Sequence, residues 1–170
     1  MLWFNLLKKI VMILQSEISP KQVAAGAVLG MLIGFVPAKC LHSYVILIMI
    51  LMLNVNIGSA FLAAGFAALA GYFADPLAHK IGYLLLVDTS FLTPLWIKLY
   101  NTPIVPFTRF YNTVVLGSFV ISIILILPVY LFTLKFLAYY RANFKERVGK
   151  WKIMKIFNLS SAANLYNKYQ

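Results

Sequence analysis

Two groups of ionisable side chains lie beside prolines in the first half of the chain, and they are the candidates for chemistry. Near Pro37 they are Lys39 and His42, and near Pro76 they are Asp75, His79 and Lys80. A hydrolytic triad needs a nucleophile, a histidine and an acid in contact, and a metal site needs three or four ligands. No spacing in the sequence requires either arrangement. We therefore expect no catalytic residues, no metal and no other cofactor, and we predict that the protein is not an enzyme.

The same side chains are consistent with a lipid-binding cleft. An ionisable group inside membrane hydrocarbon is costly and usually faces a cavity or a partner. In a polar cleft formed by His42, Asp75 and His79, Lys39 and Lys80 would hold the phosphate of a lipid headgroup. The alternative is that both groups lie at headgroup level, where water solvates them. The sequence leaves both interpretations open.

The composition indicates an integral membrane protein. Of the 170 residues, 62% are hydrophobic and only 11% are charged, whereas soluble domains are about a quarter charged. A fold of this size cannot hide so much apolar surface from water, which argues against a soluble enzyme or a disordered chain. The net charge of +11 is explained by anionic lipid and by the positive-inside rule. We therefore expect membrane lipids as partners and no nucleic acid.

The stretch around Pro37 predicts a short helical hairpin. A helix begins at Ser19-Pro20, where serine caps the helix and proline fits the first position, and it ends at Pro37. The next arm, Leu41–Leu53, has 13 residues and is only ~20 Å long, whereas the hydrocarbon core is ~30 Å thick. A turn with Asn54 and Asn56 comes after it. Helices this short predict a re-entrant segment that enters the membrane and returns.

A second hairpin is predicted around Pro76. Its arms are Gly58–Ala74 and the stretch from Leu77 to Val87. The two hairpins match at an offset of 37 residues, which aligns Gly26, Gly30 and Gly34 with Ala63, Ala67 and Gly71, and His42 with His79. Paired interrupted segments mark binding sites in some transporters, so an internal repeat is one interpretation. Chance is the other, because small residues are common in membrane helices.

The glycines four residues apart form a smooth stripe on the first helix. Gly26, Gly30 and Gly34 let another helix approach closely. Two interpretations are open: packing inside the chain, or a seam between copies or with a partner. Pro37, Asn54, Asn56 and Pro76 belong to the same predicted packing set because they shape the breaks and turns.

The predicted organisation is an all-α, multi-pass integral membrane protein. Residues 1–18 predict an interfacial amphipathic helix, residues 19–88 the two-hairpin domain, and residues 89–112 an aromatic, proline-rich interfacial loop with a short helix. Residues 113–134 predict a full transmembrane helix, and residues 135–170 a basic tail. The positive-inside rule places this tail in the cytoplasm.

Several residues carry a resemblance to a known family. They are Ser19-Pro20, Gly26, Gly30, Gly34, Phe35, Pro37, His42, Asn54, Asn56 and Asp75-Pro76. The stretch from Ser19 to about Asp88 resembles a bacterial domain of unknown function found in small inner-membrane proteins. With its flanks, the chain resembles a subfamily of bacteria with an outer membrane, often encoded beside a large protein. That neighbour is similar to the bridge-like proteins that carry lipids across the periplasm, so the resemblance implies such a partner.

These observations favour a non-enzymatic inner-membrane subunit that supports lipid movement toward the outer membrane with a large periplasmic partner. One alternative is a self-contained channel or transporter for small solutes, with its site between the hairpins. Another is a membrane scaffold that associates through the glycine stripe, including with a second copy of itself.

Overall fold

The structure is a computed structural model that describes residues 18–37 and 40–143. The described residues form helices and connecting turns and contain no strand, so the all-helical part of the prediction is confirmed. The α-helices are α1 (Pro20–Phe35), α2 (Leu41–Met52), α3 (Ile57–Tyr83), α4 (Thr93–Tyr100) and α5 (Thr113–Asn143). The predicted interfacial helix, except for its last residue, lies outside the described residues, as do Lys39 and the tail beyond Asn143.

The chain divides into two compact units. Ile18–Leu134 form one unit, and Met1–Glu17 with Lys135–Gln170 form the other. The described part of the second unit is the helical segment 135–143. Both prolines and all the ionisable candidates belong to the first unit.

The predicted helix break at Pro37 is present, between α1 and α2, and re-entry into a membrane stays a prediction. Val36, which precedes the proline, is extended with φ −91° and ψ 137°, because proline disfavours the helical conformation of the residue before it. The two arms have 16 and 12 residues. Their far ends meet, since the backbone N–H of Asn56, just after α2, donates to the carbonyl of Gln22 at 3.1 Å. The start of α1 and the turn after α2 therefore lie at the same level.

The prediction of a second hairpin is wrong, because α3 continues through Pro76 without a break. This helix has 27 residues and continues as a π-helical turn, Leu84–Asp88. The segment beyond the proline packs on α5, where Gly82 lies against the backbone of Thr113 and Gly117 lies against the backbone of Ala78. Proline removes one helical hydrogen bond, and this packing holds the helix together across the gap. The two-hairpin domain is therefore one hairpin beside one long helix, and the repeat does not extend to the second break.

Close contacts at glycines define two helix–helix seams and show the relative directions of α1, α3 and α5. A Cβ atom at Gly26, Gly30 or Gly34 would overlap atoms of Asn56, Ala60 or Ala64. Because the numbers rise together, α1 and α3 are parallel. The α3/α5 contacts run in opposite order, so these helices are antiparallel. The core between them contains Val28, Met31, Leu32, Phe35, Ile46, Ile50, Ala60 and Ala67, with Ile121, Leu125 and Val129 of α5 packed against it.

Two of the helices are long and apolar enough to cross a membrane. They are the 32-residue stretch Ile57–Asp88 and the 31-residue helix Thr113–Asn143. Large apolar side chains are exposed on the outer surface of both helices and of α2. Phe73 of α3 is 82% exposed, and Met52 of α2 is 81% exposed. Exposed apolar surface on this scale is unfavourable in water and fits hydrocarbon.

The last long helix begins where the sequence predicts but extends beyond the predicted end. It begins at Thr113 as predicted, but it continues to Asn143 instead of ending at Lys135. Lysine is a good helix former, so Lys135 does not end the helix. The predicted interfacial loop contains the expected short helix, α4.

Candidate functional site

A groove opens beside the α1/α3 seam, where α1 ends. One wall is the last turn of α1 with its break, and the other is the middle of α3. The small residues Ala64, Ala68 and Gly71 leave the space between them. The groove has a volume of about 420 Å³ and is lined by Ile33, Gly34, Phe35, Val36, Pro37, Ala64, Ala68, Gly71, Tyr72 and Asp75. Small-molecule sites have volumes of ~300–1,000 Å³, so this groove can hold part of a ligand.

The two prolines each remove a hydrogen-bond donor beside the groove. A helical carbonyl normally accepts from the N–H four residues later, and proline has no N–H. Because α1 ends at Phe35, the carbonyl of Ile33 in its last turn has no donor within the helix, and Pro76 removes the usual donor for the carbonyl of Tyr72. Both Ile33 and Tyr72 line the groove. The residues whose carbonyls lack these helical donors thus belong to the lining of one groove.

Asp75 is the charged side chain of the groove lining. Within residues 18–37 and 40–143 it has no hydrogen-bond or ion-pair partner. An ionised carboxylate only accepts hydrogen bonds. The polar groups of the groove are therefore acceptors, apart from the phenol of Tyr72, whose side chain is 75% exposed.

The other predicted cleft residues do not join Asp75 in the groove. His42 lines a separate cavity of about 150 Å³ with Thr108, Phe110, Val115, Leu116 and Phe119, and its ring lies 5.1 Å from that of Phe119. His79 pairs with α5 instead, with Nδ1 2.7 Å from Oγ1 of Thr113. Lys80 is exposed and is not among the lining residues. The described residues contain no cluster of three metal-ligating side chains.

The glycine stripe is occupied inside the chain. Gly26, Gly30 and Gly34 pack against α3, so the predicted helix-packing role is the one observed. Asn56 caps α3, since its Oδ1 accepts from the backbone N–H of Ser59 at 2.6 Å. Asn54 lies exposed in the preceding turn.

The cysteine near the hairpin tip is buried and chemically quiet. Cys40 is 1% exposed. Burial raises the pKa of its thiol, and the positive charge of Arg109 lowers it by less. The nucleophilic form of cysteine is the thiolate, so this thiol stays in its unreactive form near neutral pH.

Sequence patterns alone do not predict two of the structural contacts. The Ser59 hydroxyl contacts two carbonyl acceptors, Val23 of α1 at 3.0 Å and Asn56 at 2.8 Å. The Trp96 indole donates to the Leu85 carbonyl in the π-helical turn at 2.9 Å and stacks on Phe110. Asn56 is a visible capping signal for the start of α3, but no pattern near Ser59 indicates a contact with Val23, 36 positions earlier. The second depends on a π-helical turn that no local pattern marks.

The described residues thus define an all-helical protein with two helices able to cross a membrane and a short hairpin beside them. The sequence profile of a family described as uncharacterized protein conserved in bacteria (DUF2062) matches residues 6–145, and the chain belongs to this family. No curated protein and no solved structure matches the chain. The resemblance is confirmed at the level of an uncharacterized bacterial family, while the subfamily and the neighbouring gene stay predictions.

Proposed function

We propose that the protein is a non-enzymatic inner-membrane subunit that helps to move phospholipid toward the outer membrane, with a large bridge-like protein of the periplasm as its partner. The observation that carries this proposal is the open, apolar groove with the carboxylate of Asp75 in its wall, which has no partner among the described residues. It replaces the predicted cleft between two hairpins by a groove between one hairpin and a long helix.

The position of the groove suits a lipid headgroup. The segment of α3 before Asp75, Ile57–Ala74, contains 18 uncharged residues and is ~27 Å long, close to the ~30 Å of the hydrocarbon core. If α3 begins at one surface of the membrane, Asp75 lies at the other. A headgroup can then enter the groove while the acyl chains stay against the exposed apolar side chains of α3, such as Leu69 and Phe73.

The direction of the helices favours the periplasmic side for the groove. Because α5 is antiparallel to α3, its Leu134 end lies on the side where α3 begins. The sequence beyond Leu134 has a net charge of +7, and the positive-inside rule puts such a segment in the cytoplasm. The groove then faces the periplasm. The exposed Phe91 and Phe107 of the segment 89–112 lie beyond Asp75 in the chain and are the proposed contact for the partner.

The experiment is genetic, with a matched variant. The gene and the neighbouring gene that encodes the large protein are deleted singly and together, and outer-membrane phospholipid content and detergent sensitivity are measured. We expect a similar loss in all three strains. We expect wild type and Asp88→Asn to restore the single deletion and Asp75→Asn to fail, since Asp88 lies at the end of the π-helical turn and outside the groove.

Two results contradict the proposal. One is an unchanged outer membrane in every deletion strain. The other is solute flux through liposomes that contain the purified protein alone, which would instead identify a self-contained transporter or channel.

A further inference from the structure

We propose that the groove recognises a phospholipid whose headgroup ends in a primary ammonium, as in phosphatidylethanolamine. The inference names the lipid class for the proposed function and rests on it. The acceptors are the carboxylate of Asp75 and the carbonyls of Ile33 and Tyr72.

The hydrogen-bonding groups of the groove are complementary to a primary ammonium. A primary ammonium has three N–H donors and no acceptor, as in lysine. The groove brings together residues with the opposite character, a carboxylate and two carbonyls without their usual donors. No lysine, arginine or histidine of the described residues lines it. An anionic headgroup such as phosphatidylglycerol brings no cation for these acceptors, and among the described lining residues the phenol of Tyr72 is the one side-chain donor it would meet, which disfavours it.

The dipole of α1 also favours a positively charged group in the groove. The C-terminal end of a helix carries about half a negative charge because its last carbonyls are unpaired within the helix. The last turn of α1 has no basic residue to offset this field, and it forms one wall of the groove. Gly71 lets α3 come close to this end, since a Cβ there would lie 3.1 Å from the Phe35 carbonyl oxygen. The helix end and Asp75 therefore attract the same charge.

The apolar walls of the groove favour a lipid over a bare cation. The groove is largely apolar, with Ile33, Phe35 and Val36 on one side and Ala64 and Ala68 on the other. A metal ion gains nothing from such walls. A headgroup with a glycerol backbone and acyl chains fits both the acceptors and the apolar lining.

The test measures lipid retention by the purified full chain. Phosphatidylethanolamine, phosphatidylcholine and phosphatidylglycerol compete at equal concentration in detergent micelles, and the bound lipid is read by native mass spectrometry. We expect phosphatidylethanolamine to be retained about tenfold better than either of the others, because a charge-assisted hydrogen bond to the half-buried carboxylate of Asp75 has about this effect. Phosphatidylcholine is informative because its nitrogen is positive but has no N–H.

Three variants locate the site. Asp75→Asn should reduce the preference to within about twofold, and Asp88→Asn should leave it unchanged. Pro76→Ala gives the carbonyl of Tyr72 a donor again and should reduce the preference about threefold while keeping the carboxylate. If Asp75→Asn does not fold, as judged by helical content and thermal midpoint, Pro76→Ala still tests the site.

The results that overturn this inference are specific. One is a wild-type chain without preference among the three lipids. Another is an Asp75→Asn variant that folds and keeps the preference. A third is a protein that NaCl alone stabilises, that loses this stabilisation in Asp75→Asn, and that shows no preference among the lipids. This result would identify a bare cation site. A clear preference in vitro with an unchanged outer membrane in the deletion strains refutes the proposed function and leaves the binding site standing.

Discussion

Pro37 and Pro76 are two prolines in similar apolar sequence with opposite effects on the helix. Before Pro37 the chain turns extended at Val36, whereas Asp75 stays helical before Pro76. The difference lies in the packing of the segment after each proline. Beyond Pro76, Ala78 and Gly82 fit closely against α5, and this contact supports the continued helix. In this chain the helix continues through the proline whose following residues fit closely against the backbone of α5.

The comparison extends to the two seams that hold α3. Its first half contacts α1 in parallel through Gly26, Gly30 and Gly34, and its second half contacts α5 in antiparallel through Gly82 and Gly117. In both seams a glycine lies on the backbone of the facing helix, which is how membrane helices gain close packing. The two seams therefore divide α3 at about the position of the groove.

The largest effect is expected at the first seam. Gly30→Leu places a side chain on the backbone carbonyl of Ala60, so α1 must move away from α3. We expect the free energy of unfolding in detergent to fall by about 3 kcal/mol or more, measured by thermal or denaturant unfolding. The control is Gly65→Leu on the same pair of helices, because a Cβ at Gly65 meets no atom within 4 Å. Equal stability of the two variants would contradict the seam.

The second seam is tested by Gly117→Leu, which places a side chain on the backbone of Ala78. We expect a loss of about 2 kcal/mol, concentrated in the part of α3 beyond Pro76. Hydrogen exchange of the amides between Leu77 and Tyr83 should become faster, while those of α1 keep their protection. If the segment beyond Pro76 stays protected, packing on α5 is not what carries α3 through the proline.

The sequence alone is sufficient where the signal is local. The start of α1 at Pro20, the break at Pro37 and the start of α5 at Thr113 depend on nearby residues. The continuity of α3 depends on Gly117, 41 positions after Pro76, so no pattern around the proline could reveal it. The same applies to the site. Asp75 stands out in the sequence as a charge among apolar residues, but its groove is built by the end of α1, and His42 and His79 belong to other contacts.

Substitution of each proline sharpens the comparison. Pro76→Ala should raise the free energy of unfolding by about 1–2 kcal/mol, because the helix regains the hydrogen bond to Tyr72. Pro37→Ala should lower it by about 1 kcal/mol, because the unfolded chain gains freedom. Both changes are read from thermal unfolding in one detergent. Shifts of the same sign would show that the two prolines act alike. A stabilised Pro76→Ala protein that binds lipid less selectively would show that the proline is kept for the groove.

The smallest effect is expected at Ser59, which joins the helices on either side of the first seam. Its hydroxyl contacts the Val23 carbonyl of α1 and the Asn56 carbonyl at the start of α3, and the side chain is 5% exposed. Ser59→Ala should cost about 1 kcal/mol of the free energy of unfolding, the net value of a buried hydrogen bond. Ser122→Ala is the control, because Ser122 is also buried but bonds only to Phe119 of its own helix. We expect that variant to stay within about 0.5 kcal/mol of wild type, and an equal loss at both positions would show that burial, not the bridge between α1 and α3, sets the cost.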